Sequence, residues 1–490
     1  MAAKYTITYF DAAGRAEVTR LAFAAKEVEF NDVRLTSDEW KKMKPSVPQG
    51  QLPIMEVESG GKKTVICQSG AMARFVAREF GLYGKNNMEN SMVDVALETI
   101  EDLFKELIKI YTASDEKTKD ELKAELGKTV VPKFVKNFED MIGGKDWIVG
   151  SDMTIADLAV FSLFKTMPSM FGEDSTKCYR ENKNLQAHAK RVSENKGIKK
   201  WLASQPVKKR YLCGLKYSYG RQGQPVDPGV VQLSHHDTLH VGCLYVVDKT
   251  VLESEILGSS GLLTAAVAGK VVGETVVRRP PSTMPKYKVT YFESAGRAEL
   301  TRLALCVAKQ PFEDVRLKPE EWALQKESTP QGMLPILEVD EHIICQSGAM
   351  VRYIAREYGL YGNGNTENTE VDVILETTED FVKDLIKFFY EKDPDKKTEA
   401  IKNFFDTTLP KFVAIYYEIL CNNNGGNGWM VGSTVTIADL YVFSIFDGIK
   451  SFYGDDAVKA YTGNEKLEAH CKRVTEIPEI KNWLQRRPKE

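Results

Sequence analysis

The sequence predicts a small α/β domain followed by an all-helical domain, with the pair present twice. Three observations carry that prediction: a long internal repeat, period-two alternation at the start of each copy, and a change to helical periodicity from Asn90 onward. Lys4 to Ile54 matches Lys286 to Ile336 without a gap at 29 of 51 positions. Tyr9 and Trp40 recur as Tyr291 and Trp322, 282 residues on; the spacing falls to 278 at Gln68 and Gln346 and returns to 282 at Thr154 and Thr436. We assign the loss to a longer hairpin turn at Glu58-Ser59-Gly60-Gly61-Lys62 than at Asp340-Glu341, and the recovery to the Gly/Asn-rich insert Asn422 to Gly428.

Within a copy, Tyr5, Ile7 and Tyr9 fall on one face of an opening strand and Thr6, Thr8 and Phe10 on the other. Gly14-Arg15-Ala16-Glu17 opens a helix whose apolar stripe includes Val18, Leu21 and Ala22. Phe30 to Leu35 reads as a second strand, Pro53 to Val57 and Thr64 to Cys67 as an antiparallel hairpin, and Gly70 to Phe80 as a helix. Beyond Asn90, Val93, Leu97, Ile100, Phe104, Leu107 and Tyr111 recur at helical spacing, and Thr154-Ile155-Ala156-Asp157 is a capping-box start; Val371, Leu375 and Thr378, and Thr436 to Asp439, repeat the pattern. Asp94, Glu98, Glu101 and Asp102 align on the opposite helical face, whose default reading is a solvated acidic surface. The expected boundaries are 1–83 and 84–206 for the first copy, 207–283 for a poorly ordered linker, and 284–361 and 362–490 for the second copy.

Composition narrows the function classes. With 490 residues, 43% hydrophobic and 28% charged, the chain is not disordered and needs several domains. A net charge of -3 and a pI near 6.2 leave no electrostatic footprint for nucleic acid or an anionic membrane. No apolar run approaches roughly 20 residues, since Gly269 and Lys270 break Leu262 to Val272, so no membrane span is expected. The opening residues lack a basic leader and an apolar block, so no secretion signal is expected. Eight scattered cysteines without a CxxC pair point to free thiols in a reducing, cytoplasmic compartment. In the linker, His235, His236, Asp237, His240 and Cys243 imitate metal-ligand spacing without a second ligand pair, so no zinc is expected. Gly362-Asn363-Gly364-Asn365 lacks a preceding strand and a complete GxGxxG, which rejects a dinucleotide site.

Tyr-Phe, Gly-Arg-Ala-Glu, Glu-Trp, Gln-Gly-Gln-Leu-Pro-Ile, Gln-Ser-Gly-Ala and Thr-Ile-Ala-Asp, in this order and spacing, resemble the sigma class of cytosolic glutathione transferases over both copies, some five-sixths of the chain. The resemblance implies α/β plus all-α architecture, a thioredoxin-like domain followed by an all-helical bundle in each copy, dimerisation, and glutathione as cosubstrate. It implies that Tyr9 and Tyr291 donate a hydrogen bond to the glutathione sulfur, with Arg15 and Arg297 adding positive charge nearby. Trp40 with Lys44, and Trp322 with Lys326, would grip the glycyl end. The Leu52-Pro53 and Leu334-Pro335 bonds would be cis and expose the preceding backbone to the cysteinyl group, so that the difference between Gln51 and Met333 matters little.

Gln68-Ser69 and Gln346-Ser347 stand where a strand turns into a helix, and the free N–H groups there suit the γ-glutamyl carboxylate; a plain serine N-cap is the alternative. Asp102 and Asp380 would cross the interface toward the ammonium group of the other copy's glutathione. Some relatives hold a divalent metal on nearby aspartates, but the matching positions here are Glu98, Glu101, Glu376 and Glu379, and no metal is expected. Each assignment keeps a structural alternative: a core tyrosine, a surface arginine, an aromatic packed under a lysine stem, a trans proline at a strand start.

The expected activity is conjugation of the glutathione thiolate to electrophilic small molecules, with peroxide reduction or isomerisation of a prostaglandin-like endoperoxide as side activities. Phe10, Phe104 and Tyr111 are assigned to the cavity for the apolar substrate. The rival is a non-catalytic relative of the kind found as lens crystallins and apolar-ligand binders; loss of the tyrosine or the glutathione motif would point that way, and both copies retain both. The copies would pair within the chain or as a homodimer, and a flexible 77-residue tether spans roughly 50 Å, enough for the former. Met284-Pro285-Lys286-Tyr287 resembles a second start, as a gene fusion or an erroneous joining of two reading frames would produce. Mass measurement on the native protein separates one chain of 55.1 kDa from two pieces near half that size.

Overall fold

The computed structural model describes residues 3–113, 115–205 and 285–488. The linker expected over 207–283, with its histidine and cysteine cluster, and Met284 lie outside them. In the first copy, β1 (Lys4–Phe10), α1 (Glu17–Ala25), β2 (Asn31–Leu35), α2 (Ser37–Met43), β3 (Ile54–Ser59), β4 (Lys62–Cys67) and α3 (Ser69–Phe80) form the α/β unit. The helical unit holds α4 (Asn87–Thr112), α5 (Glu116–Glu125), α6 (Val131–Ile142), α7 (Ile155–Phe171), α8 (Lys177–Glu181), α9 (Lys183–Glu194) and α10 (Lys196–Ser204).

The second copy repeats the order with β5 (Tyr287–Phe292), α11 (Glu299–Val307), β6 (Phe312–Leu317), α12 (Pro319–Gln325), β7 (Ile336–Val339), β8 (His342–Cys345) and α13 (Ser347–Tyr358). Its helical unit holds α14 (Gly364–Tyr390), α15 (Pro394–Asn403), α16 (Leu409–Asn422), α17 (Ile437–Tyr453), α18 (Lys459–Thr462), α19 (Glu465–Thr475) and α20 (Pro478–Arg486). Among the described residues no helix is long and apolar enough to cross a membrane, and no disulfide joins the cysteines.

Each sheet is mixed, in the order β2-β1-β3-β4 and β6-β5-β7-β8, with the first pair parallel and the others antiparallel. Ile7 and Met55 are fully buried and join Leu21, Met72 and Val76 in one cluster, so the inward face of the sheet and the stripes of α1 and α3 make a single core. Thr154 opens α7 with the expected capping box, its N–H and hydroxyl both bonded to Asp157, and Thr436 does the same for α17 through Asp439.

The hairpin differs from expectation. Both copies turn in two residues, Gly60-Gly61 and Asp340-Glu341; the four extra residues lengthen the two arms of the β3–β4 hairpin by two each. An even insertion per strand keeps every side chain on its original face, whereas an odd one would turn the core face outward.

The acidic face of α4 is a second correction. It is not an outer surface: α4 packs against α13, and α14 against α3, so the run lies between the two copies, with Glu98, Glu101 and Asp102 on the cavity there. Asp94 is fully buried and takes Arg74 of its own copy at 2.8 Å and Arg356 of the other at 2.9 Å. Asp372 takes Arg352 at 2.8 Å and Arg78 at 2.9 Å in the same reciprocal pattern. Glu98 pairs with Arg352, and Glu376 with Arg74. The helix shows only that these carboxylates share a side; the arginines that pair with them come from other elements, Arg74 from α3 of the same copy and Arg352 and Arg356 from α13 of the other. Residues Gly362 to Asn365, rejected as a nucleotide loop, carry Asn365, which accepts from Arg78 across the same interface at 2.7 Å. Asp94→Ala would leave Arg74 and Arg356 buried without their shared counter-charge, and we expect a loss of about 3–5 kcal/mol in urea-induced unfolding.

Candidate active site

Tyr9 lies where β1 outruns its neighbour. The β1–β3 pairing ends at Thr8 and Ile54, while Tyr9 and Phe10 continue against Arg34 and Leu35 of β2, leaving the tyrosine at the end of the sheet. Tyr291 stands in the same register beyond Thr290 and Ile336. The chain must then pass close to the phenol. Gly14, at φ +44°, has room for no side chain, because a Cβ would come within 2.7 Å of the Tyr9 hydroxyl, and Gly296 repeats this against Tyr291. The next residue, Arg15, points its backbone N–H at the Tyr9 hydroxyl at 3.4 Å. Arg20, fully buried, holds this loop by donating to Ala12 and Ala13 carbonyls and to Asp32; Arg302 does so in the second copy.

The guanidinium of Arg15 turns to Glu101, reaching its two oxygens at 2.9 and 3.0 Å, and Arg297 reaches Glu379 at 3.3 Å. Each arginine therefore brings its own counter-charge into the site, which sequence reasoning did not anticipate.

The start of α3 is built by both copies. Gln68, at φ 67° and ψ 116°, occupies the cap position and Ser69 is the first helical residue, so the serine N-cap alternative fails. Gln68 donates to Gln49 at 3.0 Å and, across the interface, to Asp380 at 3.2 Å, while Gln49 donates to Thr377 of the second copy at 2.8 Å. Gln346, Gln331, Asp102 and Thr99 repeat the arrangement in the other direction. The Gly70 N–H, a helix-start donor with no intrahelical partner, goes to Glu376 at 3.1 Å, and that of Gly348 to Glu98 at 3.1 Å. Gln49 and Gln331 were missed as site residues although Pro-Gln-Gly stands in both copies; Glu98 and Glu376 carried no signal of acting on the other copy's helix.

One cavity of about 470 Å³ runs between the copies. Tyr9, Arg15, Gln68, Ser69 and Asp102 line it, as do Tyr291, Arg297, Gln346, Ser347 and Asp380, and the expected apolar residues Phe10, Phe104 and Tyr111 line it too. The remaining predicted residues sit outside its lining. Trp40 packs edge-on against Phe10 at 6.1 Å and Trp322 against Phe292 at 6.3 Å, with Lys44 and Lys326 exposed behind them. The Leu52-Pro53 and Leu334-Pro335 bonds are both cis and lead directly into β3 and β7. Among the described residues no cluster of His, Cys, Asp and Glu could hold a metal ion; Glu98, Glu101, Glu376 and Glu379 all face arginines.

Those four carboxylates, on one pair of helices, are pushed apart. Burial drives Glu98 and Glu376 up to about 7, against the pull of Arg352 and Arg74. Burial also opposes the charge of Glu101 and Glu379, but Arg15 and Arg297 outweigh it; Glu101 is lowered, and Glu379 is held down at about 2 with help from the Tyr441 hydroxyl.

Two domain families match the chain, each twice: the glutathione S-transferase N-terminal domain over 5–78 and 287–356, and the glutathione S-transferase C-terminal domain over 101–205 and 379–487. Glutathione S-transferase 1 of Ascaris suum is 35% identical over 212 residues, which are 42% of this chain and 98% of the relative. Hematopoietic prostaglandin D synthase of Gallus gallus is 37% identical over 206 residues, with 42% and 98% covered. A solved nu-class transferase from Haemonchus contortus is 37% identical, covering 42% of this chain and 99% of its own, at a TM-score of 0.39.

A group whose folded value is raised is protonated in the native state where the unfolded chain has already lost its proton. Folding then takes up protons between the ordinary 4.5 and about 7, and stability from Glu98 and Glu376 falls as pH rises through that window. Replacing both with Gln removes that loss. The double variant should gain on the parent in urea midpoint from pH 5 to 7, and a difference independent of pH would contradict the assignment.

Proposed function

The chain belongs to the glutathione S-transferase family, carrying both domains of the family twice, and from that premise we propose that each half holds one glutathione and presents its thiolate to an electrophilic small molecule. The observation that carries the reading is the meeting of a phenol at the end of each sheet with a helix start completed by the other copy, all on one cavity.

In this reading the Tyr9 or Tyr291 hydroxyl donates to the bound sulfur. A thiol's ordinary value near 8.5 leaves little thiolate at pH 7, and a hydrogen bond to a charged acceptor contributes roughly 1.5–3 kcal/mol. That is enough to bring the titration to about neutrality, where thiolate is the attacking species. Arg15 and Arg297 act as ion pairs with Glu101 and Glu379, so their contribution is orientation of the loop and a local dipole rather than a bare positive charge.

The starts of α3 and α13 offer Ser69 and Ser347 to the γ-glutamyl carboxylate, with Gln68 and Gln346 beside them. Asp102 and Asp380 serve the ammonium group of the opposite copy's glutathione, supported by their direct bonds to Gln346 and Gln68. Trp40, Lys44, Trp322 and Lys326 are assigned to the glycyl end, and the backbone of Leu52 and Leu334, beside the cis prolines, to the cysteinyl group. The motifs favour the sigma class. Peroxide reduction and isomerisation of a prostaglandin-like endoperoxide are proposed as further uses of the same thiolate, the second supported by the likeness to prostaglandin D synthase.

The active unit in this reading is a single chain working in the cytoplasm, paired with itself. Tethering gives the halves an effective concentration up to about millimolar, and sedimentation at low concentration should show a monomer.

Each of Tyr9→Phe and Tyr291→Phe should slow its own copy by about tenfold or more, leaving the other to dominate turnover. The double variant, still binding glutathione, should lose about tenfold or more in kcat/KM, with the thiol's titration returning toward 8.5. Unchanged turnover and titration would overturn the reading. Asp102→Ala should raise the KM for glutathione about tenfold when only copy 2 is active, in the Tyr9→Phe background, and not when only copy 1 is active. The reverse pattern would place Asp102 in its own copy's site.

A further inference from the structure

The two ends of the cavity are not alike. Where the copies align, α4 and α7 of the first copy give Phe104 and Ala159, and α14 and α17 of the second give Val382 and Tyr441; all but Val382 and Ala159 are aromatic, and all four line the cavity. The bulk has changed walls: a ring on the first helix facing a methyl on the second has become an isopropyl group facing a phenol. Further along the same helices, Thr166 and Met170 are matched by Gly448 and Phe452.

The exchange is tied to the charged pair beside it. In copy 1 the Arg15 guanidinium lies over the Phe104 ring at 5.0 Å and has both Glu101 oxygens within reach. In copy 2 there is no ring at position 382, and the Tyr441 hydroxyl closes on Glu379, the same carboxylate that holds Arg297. That bond fixes Tyr441 across the site and uses its polar atom, leaving the ring as wall. The outer edge differs as well. Phe389 and Phe452 are 43% and 60% exposed, with ring centroids 6.3 Å apart and edge to face. Their counterparts are Tyr111, which packs against Phe171 at 5.4 Å, and Met170.

Resting on the transferase reading above, we propose that the two copies take different electrophiles. The second selects flat aryl electrophiles, which lie against the rings of Tyr441, Phe389 and Phe452. The first selects chain-like aliphatic electrophiles such as 2-alkenals, which run along α7 in the space beside Ala159 and Thr166. With an aryl halide the thiolate sulfur bonds to the ring carbon and the halide leaves with its electron pair. With an alkenal the sulfur bonds to the β-carbon, and the displaced π pair on the α-carbon takes a proton from solvent. Tyr441 and Ala159 are the specificity-determining positions, because they decide which wall carries the room.

The test uses the full chain with chlorodinitrobenzene and 2-nonenal as probes. The ratio of kcat/KM for the aryl probe to that for the enal should be at least about tenfold higher in Tyr9→Phe, where copy 2 works alone, than in Tyr291→Phe. Adding Tyr441→Ala to the Tyr9→Phe chain should remove most of that preference. Equal ratios in the two single-copy chains, or a preference untouched by Tyr441→Ala, overturn the proposal. Calorimetry on the unaltered chain gives a readout independent of any variant's folding. Two like sites for glutathione should become two unlike sites, in opposite order, for S-(2,4-dinitrophenyl)glutathione and S-hexylglutathione; like sites for both conjugates overturn the proposal. Absence of glutathione binding would instead strike the transferase reading itself.

Discussion

The reciprocal arginine–carboxylate lattice between the copies is the constraint on which the rest depends. Asp94 and Asp372 are fully buried, and each binds one arginine from its own copy and one from the other. A carboxylate in that position is tolerable only with its counter-charges in place, since desolvating a single ion costs several kcal/mol and removing one partner of a buried pair costs about 3–5 kcal/mol. Such a lattice contributes less to net stability than an apolar interface of equal area. What it supplies is register: Arg74, Arg78, Arg352 and Arg356 must meet these aspartates, and every other placement of the helices strands a charge.

Register then reaches the site. With α4 and α13 locked together, Asp102 falls beside Gln346 and Glu98 beside the Gly348 N–H, while α14 sets Asp380 and Glu376 against Gln68 and Gly70. A helix start is an electropositive place with unsatisfied N–H groups, and here the opposite copy decides which of them are already taken and which are left for a ligand. The lattice also separates the titrations of neighbouring glutamates. Glu98 lies amid its burial and acidic neighbours and rises; Glu101, three residues on, faces Arg15, Lys383 and Lys105 and falls. Two carboxylates on one helical face are thus pushed in opposite directions, Glu98 by burial and Glu101 by Arg15 of its own copy with Lys383 of the other.

Much of this was legible in the sequence, and the boundary of legibility is physical. Alternation at Tyr5, Ile7 and Tyr9 and the capping box at Thr154 are local properties, and the elements formed where they pointed. The resemblance put Asp380 of the other copy beside the site of Tyr9 and Gln68, and in the structure Gln68 bonds Asp380 and all three line one cavity. What failed was whatever needed a partner from elsewhere. Asp94, Glu98 and Glu101 read as a solvated face, with only Asp102 sent across the interface by the resemblance, because a helical wheel shows that side chains share a side and is silent on what covers it. The hairpin insertion read as a longer turn because glycines mark the turn, whereas strand length is set by pairing across it. The alternative of Ser69 as a plain cap rested on serine's preference for that position; Gln68 takes it instead, held by Gln49 and by Asp380 from the second copy.

The pattern of difference between the copies follows from the same constraint. Arg74, Arg78, Asp94, Glu98, Glu101 and Asp102 recur unchanged as Arg352, Arg356, Asp372, Glu376, Glu379 and Asp380, while Phe104, Tyr111, Ala159 and Met170 do not recur. A pseudo-twofold interface is self-complementary, so each of its residues answers to two surfaces, and a change in one copy breaks contacts that both copies make. Asp94 serves an arginine in each half, and no single substitution there can be absorbed within one half. An apolar wall residue such as Ala159 carries no such cross-copy ion pair and answers to whatever ligand enters its own site. Duplication within one chain makes that freedom usable: in a homodimer of identical subunits every wall change appears at both sites, whereas here Tyr441 alters one end of the cavity and Ala159 keeps the other.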